Sequence, residues 1–219
     1  MKNIEMVFFD MDGCLVDSEF LYIQLWKQVF DLYHIPIGLE EINSWRGRSY
    51  LDIVDIINEH THDFNFTMSL RDIRDRLFWE RLAQDEVQLK PYALEILDEL
   101  DRKGIPYACV TSTFKVKAKR ILEHFNLIDR FQFVLYGDQV AKTKPDPALY
   151  LEATSLSGFN KEEILVFEDS YHGIVACNRA DLDVIYVPDR NMIDRSGLKI
   201  FHTVSDFSEA MKIIAPMMK

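Results

Sequence analysis

Apolar positions along this chain follow two rhythms, which change over near residue 90. "MVFF" from Met6 to Phe9 is a short unbroken apolar run, the pattern of a strand buried on both faces. From Ser18 to about His34 the apolar residues Tyr22, Leu25, Trp26, Val29, Phe30 and Tyr33 recur at helical spacing, and Ser18 is placed to cap that helix. Two further helical patterns run from Tyr50 to His60 and from Ser69 to Ala83, separated by the polar, turn-rich "HTHDFNF". No strand is expected between Ser18 and Asp85.

After Pro91 the pattern alternates. A helix over 91–104 stops at Gly104, and the strand "YACV" follows, ending at Thr111. Then come a helix over 115–126, the strand "FQFVLYGD" over 131–138, and a helix over 145–158. The strand "ILVFED" over 164–169, a helix over 171–181 and the strand "DVIYV" over 183–187 complete the series. Strands alternating with helices predict an α/β fold, a doubly wound, Rossmann-like parallel sheet with helices on both faces. The predicted organisation is a core of residues 1–16 and 89–219, interrupted by an all-helical cap domain over 17–88. No internal repeat or low-complexity segment is present.

Composition narrows the possible partners. With 36 acidic against 25 basic residues and a net charge of −11, the chain lacks the surplus of Lys and Arg on which nucleic-acid binding rests. No apolar run approaches the ~20 residues of a membrane-spanning helix, so no membrane partner is expected. Asp10 and Asp12 interrupt the N-terminal apolar stretch, which a secretory leader would not tolerate, and a cytoplasmic location is expected. Cys14, Cys109 and Cys177 are odd in number and widely spaced, so neither disulfides nor a zinc site are suggested. A monomer is expected, and small anions can bind where a local positive site exists.

In a sheet of this kind ligands bind beyond the carboxyl ends of the strands. There the sequence places Asp10-Met11-Asp12-Gly13, Thr111 with Ser112, Lys142 with Lys144 and Pro145, and Glu168 with Asp169. Carboxylates that would repel one another need a cation or a proton. Asp10 and Asp169 are suited to share a hard divalent ion, with Mg²⁺ the expected occupant. Asp12 can add its backbone carbonyl while its side chain serves as an acid or base. Of the adjacent pair, Asp169 is the expected ligand; Glu168 is a second possibility, or a residue that orients its neighbour or caps a helix.

These motifs resemble the haloacid dehalogenase superfamily, in particular its capped phosphatase and β-phosphoglucomutase-like branch. "DMDG", Thr111, Lys144 in "KPDP" and "EDS" stand in the order of that family's four motifs and span nearly the whole chain. The resemblance implies that Asp10 attacks phosphorus to give an aspartyl-phosphate and that Asp12 protonates the leaving oxygen and then deprotonates water. It further implies that Thr111 and Lys144 hold the phosphoryl group and that Asp169 holds Mg²⁺. Cys14 departs from the Thr found after the glycine in many relatives and reads as a packing residue. In the insertion, Arg46 and Arg48 flank Gly47; Arg48 is the expected substrate contact there, with Ser112 its counterpart in the core. Trp45, Trp79, Phe64 and Phe66 read as cap-core residues.

The expected activity is therefore a Mg²⁺-dependent phosphatase acting on a small phosphomonoester, with a sugar phosphate as the class of substrate. A phosphomutase is the alternative with the same chemistry. It is disfavoured by Tyr22, which stands where β-phosphoglucomutases carry a His. A phospho-accepting receiver module is the alternative of another class, and the long insertion, for which a receiver has no use, argues against it.

Overall fold

A computed structural model describes every residue except Met1, Arg46, Gly47, Ser49, Asn191, Met192 and Lys219. Two compact units result: Met1–Val16 with Leu89–Lys219, and Asp17–Gln88.

The first unit is built on a parallel six-stranded sheet. Its strands are β1 (Met6–Phe9), β2 (Tyr107–Val110), β3 (Val134–Leu135), β4 (Ile164–Glu168), β5 (Asp183–Tyr186) and β6 (His202–Thr203). They lie in the order β3-β2-β1-β4-β5-β6. The connections run outward from β1 in one direction and then return to β4 and run outward in the other, so the order reverses between β1 and β4. Period-two alternation sorts the side chains of the central strands. Met6, Phe8, Ile164 and Val166 enter a core with Leu149, Tyr150 and Ala153 of α7 (Ala148–Ser157) and Ile174, Ala176, Cys177 and Ala180 of α8 (Tyr171–Ala180). On alternate positions Phe9 stacks on Phe167 at 5.0 Å, and both rings meet Phe207 of α9 (Phe207–Ile214) edge-on. The helix α9 packs on α5 (Ala93–Lys103). The remaining helix of this unit, α6 (Lys115–His124), follows β2.

The second unit contains α1 (Glu19–Leu32), α2 (Leu39–Asn43), α3 (Tyr50–Thr61) and α4 (Phe64–Leu82), with no strand among its described residues. Its core gathers Ile23, Trp26, Val29, Phe30, Ile42, Ile57 and Leu70 from the inward faces of the helices, with Ile37 and Trp45 from the segments that flank α2.

Several expectations need correction. The strand expected over 131–138 pairs only at Val134 and Leu135, because β3 is an edge strand with a single neighbour. The edge strand β6 and the short α2 carry too few periodic residues to be foreseen, whereas α9 was not expected although Phe207, Ala210 and Ile214 stand at helical spacing behind the capping Asp206. The helix expected from Ser69 begins at Phe64, since Asp63 in the polar linker caps it by accepting from the Phe66 amide at 3.0 Å. Phe64, in that first turn, is 59% exposed rather than part of the core. Ser18 precedes α1 but has helical backbone angles, and its side chain makes no capping bond.

Candidate active site

Strand β1 delivers Asp10 to its carboxyl end, beside the point where the strand order reverses, and β4 on the other side of that point delivers Glu168 and Asp169. The chain after Asp10 turns sharply. Val16 bonds back through its amide to the Met11 carbonyl at 2.9 Å, and Gly13 takes φ +84°. A side chain at Gly13 is also excluded by space, since a Cβ there would lie 2.2 Å from Asp169 Oδ2. The glycine of "DMDG" is therefore what allows the Asp169 carboxylate to approach the first turn.

Lys144, 3% exposed, is the charged centre of the cluster. Its ammonium donates to Asp10 Oδ1, to Glu168 Oε1 at 2.7 Å and to the Val110 carbonyl at 2.9 Å, which uses all three of its hydrogens. Burial disfavours the ammonium, but Asp10 and Glu168 outweigh that cost and hold its pKa above the usual lysine value. Burial pushes the Asp10 carboxyl upward, with Lys144 opposing and Glu168 and Asp12 adding to the rise.

Glu168 is fully buried and satisfied on both oxygens. Oε1 also accepts from the Tyr150 hydroxyl at 2.9 Å, while Oε2 accepts from the Asp169 amide, the Ser170 amide and the Ser170 hydroxyl, each at 3.1 Å. Burial raises the Tyr150 phenol well above its ordinary value, so it remains a donor. The fit around Glu168 is close: a Cβ at Gly173, in the first turn of α8, would sit 1.8 Å from Oε1.

The other predicted residues gather at neighbouring strand ends. Thr111 is buried at the end of β2, and its Oγ1 accepts from the Thr113 amide at 3.0 Å, leaving the hydroxyl hydrogen to donate. Ser112 Oγ is buried and has no partner among the described residues. Asp12 Oδ2 accepts from the Thr113 hydroxyl at 2.7 Å. Cys14 is fully buried, and burial pushes its thiol well above the usual value, which fits a packing residue. Arg48 lies in the helical unit, exposed, its Nε donating to the Ser44 carbonyl at 3.3 Å; Arg46 lies outside the described residues.

Sequence reasoning missed Thr113 and Tyr150. Thr113 sits two residues beyond Thr111 and carried no separate signal. Tyr150 looks in sequence like one more apolar helix position, and only packing shows its hydroxyl on Glu168.

Asp10, Glu168 and Asp169 offer carboxylate oxygens all within 4.8 Å of one another, and all three residues are buried. An all-oxygen donor set of this kind suits a hard divalent cation. The charge balance also fits: three buried carboxylates face one buried ammonium. Because five donors already occupy Glu168, Asp10 and Asp169 are the carboxylates suited to hold the ion.

A family model described as haloacid dehalogenase-like hydrolase matches residues 7–187. The chain belongs to that family. It is 32% identical over 199 residues to a phosphorylated carbohydrates phosphatase of Thermotoga maritima, covering 89% of this chain and 90% of the relative. It is 28% identical over 218 residues to a 6-phosphogluconate phosphatase of Escherichia coli, covering 97% and 96%. Among solved structures, one from Thermotoga maritima described provisionally as a β-phosphoglucomutase superposes with a TM-score of 0.77 at 26% identity, covering 97% and 99% of the two chains. A hydrolase from Pseudomonas syringae reaches a TM-score of 0.81 at 23% identity, covering 98% and 99%, a likeness of fold alone. No helix among the described residues is long and apolar enough to cross a membrane.

Proposed function

We propose that this hydrolase is a Mg²⁺-dependent phosphatase that cleaves a small phosphomonoester, a sugar phosphate in class, through an aspartyl-phosphate on Asp10. The observation that carries the reading is the Lys144 ammonium held between Asp10 and Glu168, with Asp169 in the same carboxylate cluster. Membership of a hydrolase family and likeness to two phosphatases of phosphorylated sugars and sugar acids support the choice of substrate.

In the proposed reaction an Asp10 carboxylate oxygen bonds to phosphorus as the bond to the leaving oxygen breaks. Asp12, steadied by Thr113, gives that oxygen its proton. It then takes a proton from the water that attacks the phosphoaspartate, releasing inorganic phosphate and restoring Asp10. Thr111 and Ser112 have hydroxyl hydrogens available for phosphoryl oxygens, and Lys144 offsets their charge. Asp10, Asp169 and the Asp12 backbone carbonyl would hold Mg²⁺. When bound, the ion supplies further cancellation of charge on the phosphoryl group and on Asp10. Glu168 positions Lys144 instead of serving as a ligand. Arg48 and Ser112 are assigned to substrate recognition.

Purified protein screened against phosphorylated metabolites, with Mg²⁺ and then with EDTA, tests this reading. Phosphate release that depends on Mg²⁺ is expected, and its absence across the panel would overturn the reading. With β-glucose 1-phosphate primed by a trace of bisphosphate, glucose 6-phosphate appearing well ahead of free phosphate would establish the mutase instead.

A further inference from the structure

Away from the carboxylate cluster, the sheet unit encloses a further ion pair that the reaction above does not use. Lys90 Nζ donates to Asp189 Oδ1 at 2.9 Å, and the two side chains are 11% and 3% exposed. A pair enclosed in this way is often no more stabilising than two apolar side chains of the same volume, because desolvating both charges offsets most of their attraction. What it adds is direction. An ammonium and a carboxylate joined by a charge-assisted hydrogen bond hold their two segments at one separation.

Both segments lead to the site, and all the residues involved belong to the same unit. Asp189 follows Val187 and Pro188, and the Val187 amide donates at 2.8 Å to the carbonyl of Glu168, the neighbour of Asp169. On the other side, the Lys90 amide donates to the Leu15 carbonyl at 2.8 Å, and Leu89 pairs antiparallel with Val16. Val16 pairs in turn with Asp12, and its carbonyl accepts from the Gly13 amide at 2.8 Å. A continuous series of backbone contacts therefore runs from the ion pair to Asp12.

We propose that Lys90 and Asp189 are positioning residues that brace the turn bearing Asp12 against the strand ends bearing Glu168 and Asp169. The proposal rests on the reading of Asp12 as the group that protonates the leaving oxygen. A carboxyl in that role must stay within hydrogen-bond reach of the oxygen. The Thr113 hydroxyl orients the Asp12 side chain, and the brace holds the backbone from which that side chain projects.

The test uses the full-length variants Lys90→Met and Lys90→Met/Asp189→Leu. The double variant leaves neither charge buried without its partner, so it serves if the single variant fails to fold. Hydrogen exchange reads the brace without turnover. The Gly13, Leu15, Val16 and Lys90 amides are expected to exchange roughly tenfold faster in the double variant, with the amides of β1 and β4 unchanged. No change, or a change shared equally with β1 and β4, would overturn the brace.

Kinetics then separate positioning of Asp12 from a general loss of structure. For the alkyl phosphate that turns over fastest in the metabolite panel, the leaving oxygen needs a proton, and kcat/KM is expected to fall roughly tenfold in either variant. Dinitrophenyl phosphate loses its leaving group without one. Its kcat/KM, which reports the steps up to the phosphoaspartate, is expected to change by less than about threefold. Equal losses on the two substrates, or none on either, would overturn the assignment. If the wild type hydrolyses no phosphomonoester, the phosphatase reading falls, and the exchange result still decides whether the pair braces the turn.

Discussion

Lys144 in the sheet unit and Arg71 in the helical unit are both buried cations, but their surroundings differ in completeness. Lys144 has three acceptors for three hydrogens, and its partner Glu168 accepts from five donors. Arg71 has a ring over its face and a buried Nη1 with no acceptor, next to a second arginine. A saturated network fixes its members in one arrangement, as a group that must meet a reacting phosphorus at a set distance requires. An unsaturated one leaves a buried donor without an acceptor, which costs stability.

The largest effect should come from breaking the saturated side. Lys144→Met leaves Asp10 and Glu168 buried without their cation, and removing one partner of a buried pair costs about 3–5 kcal/mol. Urea unfolding without metal should show that loss, together with loss of turnover. Added Mg²⁺ should restore part of the stability and none of the activity.

Gly13→Ala attacks the same unit through its backbone. The new methyl would meet Asp169 Oδ2, and a non-glycine residue at positive φ adds strain of about 1–3 kcal/mol. Mg²⁺ affinity by calorimetry should fall well beyond what the stability loss explains. Unchanged affinity would show that Asp169 does not depend on the approach that Gly13 permits.

Tyr150→Phe is gentler. It removes one of five donors to Glu168 while keeping the ring, and about 1 kcal/mol of stability should go with the hydroxyl. A modest fall in kcat with KM unchanged would place Tyr150 behind Lys144 as a positioning residue.

Arg71→Met should show the smallest effect. Losing the contact with Tyr50 is offset by no longer burying an incompletely paired charge, so stability should change by less than about 1 kcal/mol in either direction. A loss as large as that of Lys144→Met would show that the Arg71 network is complete after all.

Much of the architecture was legible because periodicity is a local property. The run at Met6–Phe9, the strand at Tyr107–Val110 and the helix ended by Gly104, whose φ is +67°, all follow from patterns a few residues long. Where pairing depends on position in the sheet, local pattern fails, as at β3 and β6.

From the sequence alone came the alternation that specifies a parallel sheet and the placement of Asp10, Thr111 and Asp169 at strand ends, with Lys144 in the segment that follows β3, since strand direction and the two-residue repeat are set by backbone geometry. Tertiary structure alone decided which of two adjacent acids is committed to a buried network. Glu168 and Asp169 are adjacent and chemically alike, and only the approach of Lys144, Tyr150 and the first turn of α8 commits Glu168. The same holds in the helical unit: Arg48, between α2 and α3, and Arg71, on α4, are both arginines, and packing exposes one and buries the other. Burial and the pairing of hydrogen-bond donors are properties of groups distant in the chain, so they become defined only when those groups are brought together.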